Sequence, residues 1–300
     1  MEHWLDLHMH SNCSNDGEFS PAVLVEKCAA AGLKTIALTD HNSTSGVKEA
    51  AAHAKKYNLT FIPGIELDCQ HNGKNLHLLG YGIDFSDPCY ARITENVNQM
   101  YRSISKERVQ RARELGFVIR EEKIAQLSVR GGIVMSTMIA EAVLTEAAND
   151  GHPALLPYRA GGERSANTCV NFAWDYCVQG KAAYVPISFM PLQEAISVIH
   201  QTGGAAVWAH PGANIGCNGE LAEEIFQAGI DGIEIISNYH DDSTRRFYQE
   251  KAAAHRLVGT IGSDFHGKAK PSVHLGQICT ESEDLLLKNL LSTIQKYQSL

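Results

Sequence analysis

His8 ends an alternating apolar and polar run, residues 4–8, that predicts a strand, and His10 follows two residues later. Side chains in a strand alternate between its faces, so both imidazoles should point to the same side. Two nitrogen ligands on one face suit a single transition-metal ion. Asp6 lies on that face too, where its carboxylate can orient a ligand from behind.

Further polar side chains recur where other apolar runs begin or end. Packing does not explain them, because a buried imidazole or carboxylate without a partner costs several kcal/mol. Histidine, aspartate and glutamate are also the side chains that hold divalent transition metals. Their repetition at strand ends therefore predicts a metal centre. The residues are Asp40, His41, Glu66, His77, His210, Asp264 and His266.

The elements that carry these residues alternate between strand and helix patterns, which predicts parallel strands in an α/β fold. In a barrel of parallel strands the carboxyl ends meet at one rim, where active sites lie. We therefore expect the polar residues to converge there. The predicted strands are 4–8, 35–39, 60–66, 77–81, 205–209, 232–236 and 258–262, and the predicted helices are 24–31, 47–57, 192–201, 221–228, 244–255 and 285–297.

The alternation breaks after Asp84. Long helical patterns follow at 93–115 and 133–148, and residues 152–171 are rich in Gly, Pro, Arg and Asn, which predicts a loop. We therefore expect a barrel built from residues 1–87 and 183–300. Residues 88–182 are expected to form an inserted, mostly helical segment that caps the substrate site.

Composition narrows the function classes. The 300 residues carry a formal net charge of −8, so the chain is a poor non-specific binder of nucleic acid or anionic membranes. No stretch approaches the length of apolar sequence that spans a bilayer, and no signal peptide is evident. Eight dispersed cysteines without a C-x-x-C pair favour reduced thiols and a cytoplasmic location. Nothing in the sequence indicates the oligomeric state.

Six short segments resemble the PHP family, the polymerase and histidinol phosphatase superfamily of metal-dependent hydrolases, and here the bacterial stand-alone type. Their order and spacing run through both halves of the predicted barrel. The resemblance implies a distorted (β/α)7 barrel and hydrolysis of phosphate esters. The segments are Asp6-Leu7-His8-Met9-His10-Ser11, Ser14-Asn15-Asp16-Gly17, Leu38-Thr39-Asp40-His41-Asn42, Pro63-Gly64-Ile65-Glu66, Ala209-His210-Pro211-Gly212 and Gly262-Ser263-Asp264-Phe265-His266.

The same resemblance implies three divalent metal ions. The mixed nitrogen and oxygen ligands fit Mn²⁺, Fe²⁺ or Zn²⁺. A hydroxide bridging two ions would attack the phosphate, and Asp264 would be essential to this chemistry. The first ion would be held by His8, His10, Glu66 and Asp264, the second by Glu66, His77 and His210, and the third by Asp16, His41 and His266.

The leaving alkoxide needs a proton, and His240, beyond a predicted strand end, is the candidate general acid. Substrate phosphate away from the metals needs cations. Arg159 and Arg164 flank a Gly-Gly turn, and Arg130 precedes another, so these three arginines are candidate phosphate ligands. An Arg-Pro-His motif of some relatives is absent, because residues 135–138 read Met-Ser-Thr-Met.

The favoured function is hydrolysis of a small phosphorylated sugar or nucleotide, with a phosphomonoester and a cyclic phosphodiester both open. An amidohydrolase-type enzyme that cleaves C–N or C–O bonds is one alternative. A non-catalytic PHP module is another, although the full ligand set weighs against it. No basic stripe with interleaved aromatics is present, so nucleic acid is not the expected partner.

Overall fold

The computed structural model describes residues 3–299, and its centre is a nearly closed barrel-like sheet of seven strands. Their order is β1-β2-β3-β4-β6-β7-β8, and the short β5 pairs with β3 outside this path. This confirms the expected distorted (β/α)7 barrel. The strands are β1 Leu5–Asp6, β2 Thr35–Leu38, β3 Thr60–His71, β4 Lys74–Tyr81, β5 Met190–Pro191, β6 Ala205–Trp208, β7 Gly232–Ser237 and β8 Val258–Gly262.

Helices cover the barrel and fill the connection between β4 and β5. Short 3-10 helices occur at Ala147–Asn149, Pro153–Tyr158 and Gly267–Ala269. Within residues 3–299, none of the helices combines the length and apolar character needed to cross a bilayer. The α-helices are α1 Pro21–Ala30, α2 Val47–Lys56, α3 Pro88–Glu114, α4 Glu121–Leu127, α5 Ser136–Leu144, α6 Thr168–Tyr176, α7 Leu192–Gln201, α8 Pro211–Ile215, α9 Gly219–Gln227, α10 Asp242–His255 and α11 Glu283–Gln298.

Local sequence explains where several helices begin. Proline opens α1 and α3, where its fixed φ suits the first turn and its missing N–H is not needed. The residues before them, Ser20 and Asp87, accept hydrogen bonds from the backbone N–H of Val23 and Cys89. These caps fix the residues at which α1 and α3 begin.

Strand β4 does not follow the parallel arrangement that the alternation predicts. It runs antiparallel to both β3 and β6. The cause is the Asn72-Gly73 turn, where both residues have positive φ (46° and 73°), as a tight two-residue hairpin requires. The reversal places His77 opposite Asp68 of β3. His77 lies within β4, but it therefore reaches the rim formed by the carboxyl ends of the parallel strands.

The barrel closes next to the predicted metal ligands. Leu7 N–H donates to Ile261 O at 3.1 Å, and Asp264 N–H donates to His8 O at 2.7 Å. Asp6 Oδ1 accepts from the backbone N–H groups of Ser263 (2.9 Å) and His8 (3.3 Å). Asp6 thus holds the backbone of the two ligand-bearing segments together. Burial is the main reason that the pKa of Asp6 rises to about 6.

The segment between β4 and β5 has a hydrophobic cluster of its own. Phe117, Val143, Leu155 and Phe172 are among its buried members. Helix α4 was not predicted from the sequence. The expected loop at 152–171 instead contains a 3-10 helix and the start of α6. Aromatic side chains that pack on each other order this stretch despite its Gly and Pro content.

The close approach at Gly262 predicts a strong effect of added volume. A Cβ at Gly262 would lie 2.1 Å from His8 Cβ and 2.5 Å from Glu234 Oε1. Gly262→Ala should therefore destabilise the fold by about 1–3 kcal/mol in thermal or urea unfolding. Gly151→Ala is the control, because nothing lies within 4 Å of its Cβ position. Equal stability of the two variants would contradict this account.

Candidate metal centre

Four fully or almost fully buried side chains meet at the barrel rim. His8 and His10 come from the segment after β1, Glu66 from β3, and Asp264 from the turn after β8. Glu66 Oε2 lies 3.1 Å from both His8 Nε2 and His10 Nε2, and His10 Nε2 lies 3.2 Å from Asp264 Oδ1. These four residues form one group with metal-binding geometry.

The donor atoms of this group are better satisfied by a shared cation than by hydrogen bonds to each other. The Nε2 atoms of His8 and His10 face one another at 3.1 Å. Asp264 Oδ1 is buried and has no hydrogen-bond partner within residues 3–299. Asp264 also has φ of 55°, a strained conformation typical of functional sites. Burial alone would raise the pKa of Asp264, but Lys270 and neighbouring imidazoles lower it well below its usual range.

Glu66 is shared with a second group of imidazoles. Its Oε1 lies 2.9 Å from His77 Nδ1 and 3.2 Å from His210 Nε2. His41 Nδ1 lies 3.3 Å from Glu66 Oε2, and His41, Glu66 and His77 together have metal-binding geometry. The expected set of Glu66, His77 and His210 is thus brought together, with His41 beside it. Burial would raise the pKa of Glu66, but His8, His41 and His77 hold it well below its usual range.

A third group consists of His10, His41 and His266. Asp16 lies beside it, with Oδ2 at 3.6 Å from His266 Nε2. Asp16 Oδ1 is buried and without a hydrogen-bond partner in the described part of the chain. Of the implied set, His41 and His266 therefore lie in one group with Asp16 beside His266, and His10 is shared with the first group.

Sequence reasoning missed a carboxylate that orients these ligands. Glu234 of β7 is completely buried, and its Oε1 lies 2.9 Å from His8 Nδ1. Its Oε2 accepts from the backbone N–H of His210 at 2.8 Å. Glu234 holds His8 with Nε2 directed into the cluster, as carboxylates behind ligand histidines do. Its signal was available, since Glu234 interrupts an otherwise apolar strand.

His240 does not have the contacts expected of a general acid. Its Nδ1–H donates to Ile235 O at 2.8 Å, and its Nε2 accepts from Gly212 N–H at 3.0 Å. Burial is the main cause of its lowered pKa, which favours the neutral imidazole. Both nitrogens are therefore occupied by backbone groups, and the ring joins two segments of the rim. This geometry argues against the role that the sequence suggested.

The three candidate arginines lie in different surroundings. Arg159 donates to Leu144 O and Asn149 O and pairs with Asp150, so it supports the helical segment. Arg130 donates to the backbone carbonyls of Asn12 and Cys13. It lines a small pocket beside His41.

Arg164 lines a cavity of about 410 Å³ between α6 and the rim of the barrel. Its guanidinium forms a bidentate pair with Asp175 at 2.8 and 2.9 Å. The side chain is still 35% exposed. Of the three arginines, only Arg164 lines this cavity, which also has Tyr239 and Lys270 on its wall.

Tyr239 and Lys270 connect this cavity to the ligand cluster, and the sequence did not single them out. The Tyr239 hydroxyl donates to Asp264 Oδ2 at 2.7 Å, and the Lys270 ammonium contacts the same oxygen. The indole of Trp174 stacks on Tyr239 with ring centres 5.6 Å apart and is 38% exposed. The cavity therefore combines two cations with an exposed aromatic surface next to Asp264.

The contacts of His240 predict a structural role with a defined pH dependence. The unfolded chain gains a proton on His240 below about pH 6.5. The folded chain does so only at lower pH, because its pKa is lowered. Stability present above pH 6.5 is therefore lost as the pH falls through that value. His240→Gln should lower the Tm at pH 7.5 and weaken its fall between pH 7.5 and 5.5.

Turnover tests the alternative role of His240 as the general acid. It is measured at neutral pH and low temperature, where the variant stays folded. Removing a general acid costs about 100-fold or more. We expect a smaller loss for His240→Gln against a simple phosphate ester. A larger loss with an unchanged Tm would restore the catalytic assignment.

Comparison with known proteins agrees with this geometry. A 3',5'-nucleoside bisphosphate phosphatase of Chromobacterium violaceum is 31% identical over 285 residues, covering 94% of this chain and 92% of the relative. A 5'-3' exoribonuclease of Haemophilus influenzae is 29% identical over 265 residues, covering 87% of this chain and 89% of that protein. Both likenesses extend over most of the chain.

A solved structure from Chromobacterium violaceum, described as an amidohydrolase with bound sulfate and no metal, has a similar fold. It superimposes with a TM-score of 0.71 at 26% identity, and covers 95% of this chain and 96% of its own. The model of the PHP domain family matches residues 6–182, which is more than half of the chain. The chain belongs to the PHP family.

Proposed function

We propose that this chain is a metal-dependent phosphoesterase that hydrolyses a small phosphorylated nucleoside, with the scissile phosphate at the buried cluster. One observation carries the proposal most strongly. A dense group of buried imidazoles and carboxylates lies directly beside a cavity that contains Arg164, Lys270 and an exposed indole. The phosphatase and exoribonuclease names of the relatives support the same reaction class.

The cluster is suited to divalent metal ions, and we propose three. His8, His10, Glu66 and Asp264 would hold the first, and His77, His210 and His41 would surround the second with Glu66. Asp16, His266 and His41 would hold the third, with His10 next to it. Such ions supply a nucleophile from water near neutral pH and neutralise phosphoryl charge. The nitrogen and oxygen donors fit Mn²⁺, Fe²⁺ or Zn²⁺.

The chain's own residues orient the reacting groups. Tyr239 and Lys270 both contact Asp264 Oδ2, which leaves Oδ1 directed toward His10. Glu234 fixes the ring of His8 from the other side. These contacts hold the ligand atoms before substrate arrives, so that little reorganisation is needed during the reaction. Lys270 also places positive charge next to the position of the substrate's phosphate.

The cavity is suited to the organic part of the substrate and to a second phosphate. Trp174 offers a flat surface for a nucleobase, since every base can stack on an aromatic ring. Arg164 can donate hydrogen bonds to a second, remote phosphate. Amide side chains that can meet base edges complete the lining, namely Asn167, Asn171, Asn238 and Gln277. We propose that residues 88–182 form the cap that supplies Arg164 and Trp174 to this cavity.

Other substrates stay within the same proposal as alternatives. The exoribonuclease relative and the exposed indole favour the end of an RNA strand as a second candidate, so the expectation against nucleic acid is weakened. Sugar phosphates and cyclic phosphodiesters are further candidates, and they differ in the chemical group that they would place against Trp174.

The eight cysteines are all free, which supports the cytoplasmic location that the sequence suggested.

A substrate panel separates these classes from an amidohydrolase. It should contain a nucleoside bisphosphate, a nucleoside monophosphate, a sugar phosphate, a cyclic phosphodiester, a 5'-phosphorylated oligonucleotide, and an amide or lactone. We expect the nucleoside bisphosphate to give the highest kcat/KM. Hydrolysis of the amide or lactone alone would contradict the phosphoesterase assignment. No turnover with any member, despite bound metal, would favour a non-catalytic module.

Removal of one ligand carboxylate tests the metal centre. Asn tolerates positive φ, so Asp264→Asn should keep the fold while it removes the charge that a cation needs. We expect less bound transition metal by elemental analysis and a loss of most activity in a protein that still folds and unfolds cooperatively. The wild-type protein should hold about three ions per chain when Mn²⁺, Fe²⁺ or Zn²⁺ is supplied. Wild-type protein free of transition metal under those conditions would rule out the centre.

Two cavity variants test how the substrate is recognised. Arg164→Ala should lower kcat/KM for the nucleoside bisphosphate by about 10- to 150-fold, the value of a charged hydrogen bond. Trp174→Ala should weaken the binding of nucleotide substrates, because about 1–3 kcal/mol of stacking is lost. Neither variant should affect a minimal phosphate ester, which does not reach these residues.

Arg111→Ala is the matched control for Arg164. Arg111 also pairs with a carboxylate, Glu107, at 2.7 Å, but it lies on α3 outside the lining of the cavity. It should leave kcat/KM unchanged for every substrate. Equal effects of Arg164→Ala on bisphosphate and minimal ester would mean that the loop shapes the site rather than binding the remote phosphate.

A further inference from the structure

Asp68 is a buried carboxylate next to the cluster that the ligand sets above do not use. It lies on β3 two residues after Glu66, on the same face of the strand, and is 3% exposed. Its strand partner on β4 is His77. Asp68 Oδ1 lies 3.3 Å from His77 Nε2, while His77 Nδ1 lies 2.9 Å from Glu66 Oε1. The imidazole of His77 is thus held between two carboxylates.

The other oxygen of Asp68 is held by two donors from different parts of the chain. Asn42 Nδ2 donates to Oδ2 at 2.8 Å, and the hydroxyl of Tyr101 donates to the same oxygen at 2.8 Å. Asn42 Oδ1 also accepts from the backbone N–H of Asp68 at 3.0 Å. The carboxylate therefore has little freedom to rotate. Asn42 directly follows His41, and Tyr101 lies on α3.

We propose that Asp68 is a positioning residue of the metal centre, which holds the Nε2 side of the His77 ring so that Nδ1, the nitrogen facing Glu66, is available to an ion. The proposal rests on the metal centre assigned above and adds a residue that acts on a ligand from behind. A histidine's second nitrogen decides which nitrogen is free for a metal. Asp68 thus does for His77 what Glu234 does for His8, whose Nδ1 lies 2.9 Å from Glu234 Oε1.

The contact with Tyr101 extends this positioning to the helical segment. Tyr101 is a buried residue of α3, and its hydroxyl donates to Asp68 on β3. The position of α3 therefore affects Asp68 and, through it, His77. A displacement of α3 would disturb the carboxylate without touching a ligand. The segment that supplies Arg164 and Trp174 is therefore also tied to the coordination of one ion.

Asn at position 68 cannot reproduce these contacts. One oxygen of the carboxylate accepts from Asn42 and Tyr101, and the other faces His77 Nε2 at 3.3 Å. An amide has one acceptor, so one side would meet an N–H donor. Asp68→Asn should therefore release His77 or break the contacts to Asn42 and Tyr101. Tyr101→Phe removes a single hydroxyl and should have a smaller effect of the same kind.

Tyr90→Phe provides a matched control. Tyr90 also lies on α3, is buried, and has a hydroxyl with a single partner, Thr202 Oγ1 at 2.7 Å. That contact does not involve the cluster. A general weakening of α3 would affect both tyrosine variants alike, whereas the proposal predicts a difference between them.

The experiment measures metal binding by full-length protein rather than turnover. Each variant is stripped with chelator, titrated with Zn²⁺ and Co²⁺ against a competing chelator, and checked for its metal-free Tm. Asp68→Asn should lower the affinity for one ion by about 10- to 100-fold and alter the visible spectrum of bound Co²⁺. Tyr101→Phe should weaken the same ion less, and Tyr90→Phe should match the wild type.

Three outcomes would overturn the proposal. Asp68→Asn could fold and bind every ion within twofold of the wild type, or Tyr101→Phe and Tyr90→Phe could lose affinity equally. If Asp68→Asn fails to fold, an unchanged affinity of Tyr101→Phe would still count against it. A wild-type protein that binds neither ion would instead remove the metal centre on which both this inference and the proposed function rest.

Discussion

Glu66 sits without solvent contact among five imidazoles, and the site cannot form unless this carboxylate is compensated. His8, His10 and His41 approach one of its oxygens, and His77 and His210 approach the other. An isolated buried carboxylate would be strongly destabilising, so its surrounding partners must arrive together. They come from four different strands or strand ends. The closed barrel is the arrangement that brings them within about one hydrogen-bond length of a single side chain.

Much of this centre could be predicted because barrel geometry turns local patterns into a common location. His8 and His10, or Asp264 and His266, need only the two-residue period of a strand and the position of a strand end. The repeated βα alternation then supplies the common rim. Glu234 and Asp68 obey the same rule: Glu234 was overlooked inside a strand interpreted as apolar, and Asp68 because β3 continues to His71, beyond the predicted end at residue 66. A charged residue inside such a run is as informative as one at its end.

The departures from expectation have a different origin, namely a tight turn in one case and distant backbone partners or packing in the others. The reversal of β4 follows from the Asn72-Gly73 turn, but the alternation of strands and helices concealed it. His240 lies beyond a strand end, as a catalytic residue should, yet Gly212 N–H and Ile235 O occupy its ring. Arg159 and Arg164 look equivalent in sequence. Only the packing of residues 153–176 decides that one faces carbonyl groups and the other a cavity.

The acidic balance of the chain and its proposed anionic substrate are compatible because charge is arranged locally. At long range a chain of net charge −8 repels phosphate, and salt screens this repulsion over about 10 Å. Inside the cavity, Lys270 and Arg164 act at short range, and each is held by a carboxylate, Asp264 or Asp175. These carboxylates fix the cations and reduce their non-specific attraction. A substrate must therefore satisfy geometry as well as charge, which favours a small, doubly anchored ligand over an arbitrary polyanion.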